Sequence, residues 1–375
     1  MTSLAVLSFL IWCWLLTMRG RFWQSGPILP VSVPSRTPPV AIVVPARDEA
    51  PFIEAVIRSL LAQNYPGAFQ VVLVDDGSAD GTGTIVRAIG DRRLSVVTGT
   101  PRPEGWAGKL WALQQGVAAS RQGGAAPEFF FLTDADIVHD SSHLASLVSV
   151  AERHDLDMVS EMVTLGCDSW AEKALMPAFV FYFQLLYPFA WVNNPMRGTA
   201  AAAGGAVLLR RRALIRIGGI EAVRGALIDD VALAAAVKAG GRIYLGHSGL
   251  ARSIRPYPGI QDIWRMIARS AYAQLRFSLL LLVATMLAMT IVWLVPPIAA
   301  LFGHGLTSLL GFLTWALSAA AYLPTLARFR RSFLWAALLP LIALFYMAAT
   351  IGSAVNHHRG RGVVWKGRAY AGDAP

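Results

Sequence analysis

The stretch FFFLTDAD, residues 129–136, determines which fold the sequence predicts. Its apolar half predicts a buried strand. Because side chains alternate along an extended chain, Asp134 and Asp136 are expected to leave the strand on the same side. Two carboxylates at a strand end suit a divalent cation, Mg²⁺ or Mn²⁺, that also holds phosphate oxygens. The alternative is an Asp-rich turn that caps the following helix.

The composition is that of a membrane protein. The chain has 375 residues, of which 55% are hydrophobic and only 15% charged, against about 25% charged in average soluble domains. The formal charge of +10 suits anionic lipid head groups or a phosphorylated substrate. No basic tract interleaved with aromatic residues occurs in the polar part of the sequence, so a nucleic-acid partner is not expected. Cys13 lies in an apolar segment and Cys167 is the only other cysteine, which favours a reducing compartment without disulfides.

Apolar segments at both ends predict the domain organisation. Residues 1–20 are interpreted as an N-terminal membrane anchor, because no basic start or cleavage site marks a secretory signal. Residues 277–356 contain apolar stretches for two or three membrane spans. Residues 259–276 predict an amphipathic interfacial helix, with one polar stripe of Arg265, Arg269, Tyr272 and Arg276. Residues 357–375 form a basic tail.

The basic residues predict the orientation of the chain. Arg19 and Arg21 follow the anchor, and further arginines at 328, 330 and 331 mark an inside loop. By the positive-inside rule, the region between the apolar segments faces the cytoplasm. The protein is thus expected to be a multi-pass protein of the inner (cytoplasmic) membrane with a cytoplasmic catalytic domain. A third C-terminal span would place the basic tail outside, against this rule, so the number of spans stays open.

Polar side chains follow two predicted strands in the first half of the chain. The run Val40–Val44 leads into Pro45-Ala46-Arg47-Asp48-Glu49, and Val71–Val74 leads into Asp75-Asp76. Acidic residues at the carboxyl ends of strands lie where open α/β sheets bind ligands. Asp76 is predicted to accept hydrogen bonds from a nucleotide, whereas Asp80 is interpreted as a turn or cap residue.

Two further positions are candidates for chemistry. Lys109 follows a glycine at the start of a predicted helix, where a cation opposes the helix dipole and a ligand phosphate would explain it. An exposed lysine without a ligand is the alternative, and the P-loop pattern is absent. Asp229 and Asp230 open another predicted helix. They either complement its dipole or supply a general base.

The order of these motifs resembles the family 2 glycosyltransferases with a GT-A fold. The motifs are PARDE, DDGS, GWAGK, TDAD, GGAVLLRR and DDVAL, and the likeness covers about residues 38–276 and the terminal 364–370. Within that family the motifs resemble those of the hopene-associated glycosyltransferase group, and ceramide glucosyltransferases look related. The resemblance implies an α/β fold, a GT-A (Rossmann-like nucleotide-diphospho-sugar transferase) domain over residues 38–258.

The resemblance also implies roles for individual residues. The metal would be held by Asp136 and Asp134, and Asp230, beside Asp229, would be the general base. Arg269 is the candidate for the arginine of the Q-x-x-R-W element, of which the glutamine and tryptophan are missing. The residues expected to bind the donor are Pro45, Ala46, Asp48, Glu49, Asp75, Asp76, Lys109 and Asp134.

The activity implied is that of a membrane-bound inverting glycosyltransferase. It would move a sugar from a nucleotide-sugar donor, expected to be UDP-linked, to a lipid acceptor such as a hopanoid or another polyisoprenoid. A sugar-phosphate nucleotidyltransferase is one rival, but its G-x-G-T-R loop is replaced by residues 45–48 here. A non-catalytic scaffold or transport component is the other rival. A transport component would need polar groups inside its membrane spans, and the apolar segments here are nearly free of charge.

Overall fold

The computed structural model describes residues 1–121 and 126–360, together with the backbone of 364–365 and 368–369. The chain divides into two compact units. The sheet unit consists of Pro27–Gly166, Trp191–Pro256 and Val364–Pro375, and the helical unit of Met1–Gly26, Cys167–Ala190 and Tyr257–Val363. This division differs from the predicted transferase domain of 38–258, because residues 167–190 fall in the helical unit. Most of the predicted basic tail lies outside the described residues.

The described residues form ten strands. They are β1 (Val40–Ala46), β2 (Phe69–Asp75), β3 (Leu94–Thr98), β4 (Phe129–Thr133), β5 (Ile137–His139), β6 (Met158–Thr164), β7 (Ala206–Arg210), β8 (Ile243–Ser253), β9 (Val364–Trp365) and β10 (Arg368–Ala369).

The α-helices of the described residues are α1 (Thr2–Met18), α2 (Ala50–Leu61), α3 (Thr82–Arg87), α4 (Gly108–Ala119), α5 (His143–Arg153), α6 (Trp170–Leu186), α7 (Phe189–Val192), α8 (Arg211–Arg216), α9 (Asp229–Lys238), α10 (Ile260–Ala268), α11 (Ala271–Gln274), α12 (Leu279–Met289), α13 (Val295–Phe302), α14 (Leu306–Arg328) and α15 (Leu339–His358). A π-helical segment, Thr290–Leu294, joins α12 to α13.

Eight strands form one mixed sheet in the order β3-β2-β1-β4-β7-β6-β8-β5. The β3, β2, β1 and β4 strands are mutually parallel, whereas β7 is antiparallel to both of its neighbours. Every residue of β1 and of β4 is buried, as expected for strands covered on both faces. The predicted α/β fold is confirmed, and the carboxyl ends of β1, β2 and β4 meet at one edge of the sheet.

Two helices show how sequence spacing produces this packing. In α2, Ile53, Val56, Ile57 and Leu60 are fully buried, the i, i+3, i+4, i+7 spacing of one helical face. In α4, Gly116 lies so close to the sheet that a Cβ atom there would clash with Val43 Cγ1. The absence of a side chain therefore lets α4 approach β1, and this places the start of α4 at the ligand-binding edge.

The helical unit presents apolar side chains to its surroundings. Three helices are long and apolar enough to cross a membrane by length and composition, namely Leu279–Phe302, Leu306–Arg328 and Phe333–His358. Many of their leucines and phenylalanines are exposed, for example Leu280 and Phe302. The α1 helix is shorter, and its Trp12 packs edge-on against Trp293 at 5.0 Å. Such a belt of exposed apolar surface suits a lipid surrounding.

The prediction of one continuous amphipathic helix over residues 259–276 is wrong. The segment is split into α10 and α11, since the Ser353 hydroxyl donates to Ala268 O and accepts from Tyr272 N, where a continuous helix would join these two groups directly. A hydroxyl inserted into the ladder in this way breaks a helix. Tyr272, placed on the polar stripe, is buried, and Arg276 has left-handed backbone with φ 53°.

A pair of stacked histidines is buried in the sheet unit. His139 ends β5 and His143 begins α5, and their rings lie 5.1 Å apart at 13°. Burial, and then the neighbouring His143, lowers the pKa of His139 well below its usual value. His139 is therefore neutral in the folded protein at pH values where an unfolded histidine, with a pKa of about 6.5, takes up a proton.

This difference predicts acid sensitivity of the fold. Below about pH 6.5 the unfolded state binds one proton more than the folded state, so stability falls as pH falls. We expect His139→Gln to be less stable than wild type at pH 8 but to lose less stability between pH 8 and pH 5. Thermal unfolding of the full chain in detergent micelles measures this. The exposed His154→Gln should keep the wild-type slope, and an unchanged slope in His139→Gln would contradict the prediction.

Candidate active site

Lys109, the second residue of α4, is surrounded by acidic side chains. Its Nζ atom lies 2.7 Å from Asp134 Oδ1 and 3.4 Å from Asp229 Oδ2. These carboxylates raise the pKa of Lys109 although burial lowers it, so the ammonium stays charged. The structure thus brings three sequence-predicted residues together, from the start of α4, the turn after β4 and the start of α9.

Asp230 is held by backbone groups. Its Oδ2 atom accepts a hydrogen bond from Gly204 N, and its Oδ1 atom accepts one from Val231 N, both at 2.8 Å. Burial, followed by the charge of Asp229, raises the pKa of Asp230 to about 7, against the lowering influence of Lys109 and of the two N–H groups. A fixed carboxylate with a pKa near neutrality has the properties of a general base.

Gly204 is required by the closeness of these groups. A Cβ atom at this position would lie 3.1 Å from Lys109 Nζ and 3.3 Å from Asp230 Oδ2. Any side chain would therefore crowd the acidic cluster. The cleft beside this glycine is lined by both acidic and apolar side chains, which are Pro45, Lys109, Leu110, Leu113, Leu132, Thr133, Asp134, Gly204, Val207, Asp229, Asp230 and Leu233.

The cleft carries an excess of negative charge. Three carboxylates, those of Asp134, Asp229 and Asp230, face a single ammonium, that of Lys109. Loss of hydration in the cleft raises the pKa of Asp134, although Lys109 opposes this. Like charges at one site disfavour each other's ionised form. The arrangement is therefore suited to the approach of a further positive charge.

The two carboxylates of the TDAD motif have different partners. Strand β4 ends at Thr133, and residues 134–136 form a turn, so the predicted extended geometry of this motif is wrong. Whereas Asp134 pairs with Lys109, Asp136 Oδ2 lies 2.7 Å from Arg255 Nε. The turn forms because β5 leaves the path of β4 and pairs with β8 instead.

Arg255 joins Asp136 to Glu49. Its Nη2 atom lies 2.6 Å from Glu49 Oε2, and its guanidinium lies over the Phe52 ring at 5.2 Å from the centroid. Arg255 could not be predicted from the sequence, because no motif surrounds it and its partners lie 119 and 206 residues away. One signal in the sequence could have indicated a basic partner. Two carboxylates, that of the buried Glu49 and that of the nearby Asp136, require a basic side chain to balance their charge.

The remaining predicted donor-binding residues lie on the adjoining ends of β1 and β2. Asp76 is buried, and its carbonyl accepts a hydrogen bond from Arg47 Nη1 at 2.6 Å. Asp48 has left-handed backbone with φ 52°, and its Oδ1 atom accepts from Ala79 N at 2.8 Å. Asp75 accepts from Ser78 N at 3.0 Å. These bonds join the two loops into one preformed edge, which also includes Pro45 and Ala46.

Asp80 has the structural role predicted for it. It accepts hydrogen bonds from Ala50 N at 2.8 Å and from both the backbone and the hydroxyl of Thr82. These bonds lower its pKa despite partial desolvation. Arg269, the predicted substitute for the Q-x-x-R-W arginine, belongs to the helical unit and ends α10 as an exposed residue.

Asp134 and Asp136 stay the carboxylates predicted to hold a divalent cation, and in the structure each is paired with a basic side chain, Asp134 with Lys109 and Asp136 with Arg255. Among the described residues, no three His, Cys, Asp or Glu side chains form a ready-made metal cluster. Mg²⁺ is bound through one or two carboxylates plus substrate phosphates and water rather than by an all-protein cage. Two carboxylates beside a cleft with excess negative charge are consistent with that donor set.

The mixed, Rossmann-like sheet with this acidic edge is a GT-A fold, as the sequence predicts. Residues 41–218 match the family described as glycosyl transferase family 2. The chain therefore carries a family 2 glycosyltransferase domain, and its interpretation as an enzyme is confirmed.

A curated relative is the dodecaprenyl-phosphate galacturonate synthase of Rhizobium johnstonii, 30% identical over 142 residues. The match covers 36% of this chain and 38% of that protein, so it spans well under half of the relative. The closer subgroup resemblance, to hopene-associated and ceramide glucosyltransferases, stays a prediction.

Two solved structures are similar. The mannosyltransferase PcManGT of Pyrobaculum calidifontis, in complex with GDP-Man and Mn²⁺, has a TM-score of 0.55 at 22% identity over 96% of this chain and 99% of its own. The S. aureus TarS structure has a TM-score of 0.42 at 17% identity over 62% of this chain and 39% of its own. The first of these supports the fold.

Proposed function

We propose that this protein is a membrane-bound, inverting glycosyltransferase that moves a sugar from a nucleotide-diphosphate donor to the hydroxyl of a lipid. Asp230 carries the proposal. It is a carboxylate with a pKa of about 7, it is fixed by two backbone N–H groups, and it lies beside the donor-side residues Lys109 and Asp134. A carboxylate that only complements the helix dipole needs none of these features.

The chemistry is a single displacement. Asp230 accepts the proton of the acceptor hydroxyl while the hydroxyl oxygen attacks the anomeric carbon. The bond from that carbon to the diphosphate oxygen breaks, and the nucleoside diphosphate leaves. One displacement inverts the anomeric centre. The cation that Asp134 and Asp136 would hold supplies positive charge to the leaving diphosphate.

For the donor, we propose a nucleotide-sugar bound at the edge formed by Asp48, Asp75 and Asp76. Carboxylates there can accept hydrogen bonds from ribose hydroxyls or a base N–H. A UDP-linked sugar is the donor that the sequence resemblance implies. The structure of PcManGT contains GDP-Man, so both nucleotides should be tested as donors.

For the acceptor, we propose a neutral polyisoprenoid alcohol, such as a hopanoid. The exposed apolar helices of the helical unit support a lipid acceptor. The excess of carboxylates in the cleft disfavours an anionic nucleophile and favours a neutral hydroxyl that transfers its proton to Asp230.

A polyprenyl phosphate is the second candidate acceptor. It is favoured by the name of the relative from Rhizobium johnstonii. A phosphate monoester has a second pKa of about 6 and is already ionised at neutral pH, so its oxygen can attack without a base. The two acceptors therefore differ in whether turnover requires Asp230.

The test uses the full chain in lipid vesicles with UDP- and GDP-linked sugars. Each donor is offered with a hopanoid alcohol and with a polyprenyl phosphate, and the anomeric configuration of the product is read by NMR. We expect transfer to the alcohol with inversion. Transfer to the phosphate alone would replace the proposed acceptor, retention would exclude the single displacement, and absence of transfer to both would contradict the proposed function.

We also propose that the sheet unit faces the cytoplasm of a cell with an inner membrane. In a background with Cys13 and Cys167 replaced by Ser, a cysteine at the exposed Arg121 should not react with an impermeant maleimide in intact cells. The matched control is a cysteine at the exposed His304, which should react. His304 lies between two apolar helices, at the opposite end of Leu306–Arg328 from the arginines expected inside. Labelling of Arg121→Cys before lysis would contradict this orientation.

A further inference from the structure

A chain of buried polar side chains lies behind the proposed active site and has no place in the chemistry above. Thr133, His139, His143 and Glu161 come from β4, β5, α5 and β6, and each is at most 7% exposed. Thr133 Oγ1 contacts His139 Nε2 at 3.0 Å, His139 Nδ1 contacts His143 Nδ1 at 2.8 Å, and His143 Nε2 contacts Glu161 Oε2 at 2.6 Å. Burying four polar side chains is costly unless they are mutually satisfied.

The direction of each hydrogen bond follows from the first one. Thr133 Oγ1 lies 2.7 Å from Gly205 O, and a carbonyl oxygen can only accept, so the single hydroxyl proton goes there. His139 must then donate from Nε2 to Thr133. Because His139 is neutral, its Nδ1 atom is bare and must accept from His143 Nδ1. At the far end, the 2.6 Å contact between His143 Nε2 and Glu161 Oε2 is a hydrogen bond with one shared proton.

From His143 onward, every donor along the chain therefore points towards Gly205 O. The Thr133 hydroxyl cannot turn its proton towards His139 Nε2, because that nitrogen already carries a proton, and Gly205 O is the other contact of the hydroxyl. Gly205 O is therefore held by a hydroxyl whose own orientation is fixed.

The segment held in this way leads directly to Asp230. On the other side of Gly204, Ser160 Oγ donates to Ala203 O at 3.1 Å and accepts from Ala203 N at 2.8 Å. Gly204 N then donates to Asp230 Oδ2. Two successive glycines have the greatest backbone freedom of any residues, so the direction of this N–H depends on the bonds at each end.

We infer that Thr133, oriented by His139, His143 and Glu161, is a positioning residue that holds the Gly204–Gly205 backbone so that Gly204 N–H keeps Asp230 in place. This inference rests on the proposed function, in which Asp230 is the base. It adds four buried residues to the site, which act through the backbone at Gly204 and Gly205 rather than on the reacting atoms.

Loss of the hydrogen bond from Gly204 N–H should change the pKa of Asp230 in one direction. The charged groups that face it are Asp229 on its own helix and Lys109 from α4, with Asp134 paired to Lys109. The Gly204 N–H favours the carboxylate form. If this bond is loosened while the other groups stay, the carboxylate is less stable and the pKa of Asp230 rises. The acid limb of the pH–rate profile then moves to higher pH.

The test compares Thr133→Val with Thr133→Ser in the full chain. Valine keeps the shape and removes the hydroxyl, whereas serine keeps the hydroxyl. We expect Thr133→Val to lower kcat at pH 7 by about tenfold and to move the acid limb to higher pH by about one unit. A shift of about one pH unit corresponds to the contribution of one hydrogen bond to a charged group. The KM for the donor should stay unchanged, and Thr133→Ser should resemble wild type in all three.

Glu161→Gln separates positioning from proton relay. Its amide can donate to His143 Nε2, so His143 keeps its Nδ1–H bond to His139 and the direction of the chain is preserved. We expect near-wild-type kcat. A loss of kcat equal to that of Thr133→Val would show that the shared proton itself moves during turnover and would overturn a purely positioning role.

If Thr133→Val does not fold, Ser160→Ala is the second test. It should lower kcat to the same extent and move the acid limb of the pH–rate profile to higher pH in the same way. If either folded variant keeps the wild-type kcat and limb, whatever its melting temperature, the inference is wrong. Asp230→Asn in the same assay distinguishes the two failures. An active Asp230→Asn overturns the base assignment and this inference with it, whereas an inactive Asp230→Asn beside a normal Thr133→Val overturns this inference alone.

Discussion

Asp230→Asn should lower the rate of sugar transfer by about 10²–10⁴-fold, the usual contribution of a positioned base. Asparagine has nearly the same shape, and its single amide oxygen can still accept from one of the two N–H groups, those of Gly204 and Val231. Its NH₂ group cannot accept from the other, and the side chain cannot take the hydroxyl proton. Donor affinity should change little, because the residues proposed to bind the nucleotide lie on the ends of β1 and β2. Single-turnover rates and donor binding by calorimetry measure the two quantities separately.

The pH dependence gives an independent check. Since the pKa of Asp230 is about 7, the wild-type rate should rise with pH through that value. An unfolded aspartate has a pKa of about 3.9, so between these two pH values the folded state binds more protons and its stability falls as pH rises. Asp230→Asn should therefore be more stable than wild type at pH 8, which thermal unfolding measures.

Asp229→Asn is the matched control. Asp229 lies beside Lys109 and contributes to the raised pKa of Asp230, so its replacement should move the acid limb to lower pH and cost less turnover. A normal Asp230→Asn with an inactive Asp229→Asn would reverse the assignment of the pair. Full activity of both would mean that the acceptor is not deprotonated here, as expected for a phosphate acceptor.

The parts of the fold that local patterns determine could be predicted from the sequence. The apolar run of β1, the helical face of α2 and the three long apolar helices each depend on residues close together in the chain. The acidic residues after β1, β2 and β4 were also predictable, because the carboxyl ends of parallel strands meet at one edge.

What could not be predicted depends on residues far apart in the chain. The break between α10 and α11 is made by Ser353, 81 residues from Tyr272, so the hydrophobic period of 259–276 contains no sign of it. The partner of Asp136 is an arginine 119 residues away. In the sequence, His139 and His143 resemble ordinary residues at the start of a helix. Their role depends on Glu161, which β6 places beside them in the fold.

Replacement of Asp136 by Ala should have the second large effect, a loss of both donor binding and turnover. Asp136 and Asp134 are the carboxylates that we propose for a divalent cation, and the negative cleft around Lys109 is otherwise unsuited to a diphosphate. Addition of EDTA to the wild-type enzyme should produce the same double loss, and Mg²⁺ or Mn²⁺ should restore activity to wild type but not to Asp136→Ala. Calorimetry with the donor and each cation, together with transfer assays, measures these changes.

Asp91→Ala is the matched control for the loss of an aspartate that pairs with an arginine. Its carboxylate lies 2.8 Å from Arg93, in the loop before β3, and its removal should leave donor binding and metal response unchanged. Because Arg255 also pairs with Glu49, the guanidinium keeps a counter-charge in Asp136→Ala, and the variant should fold. A fully active enzyme in EDTA would exclude a required cation. Donor binding that survives in Asp136→Ala with undiminished metal dependence would place the cation on other residues.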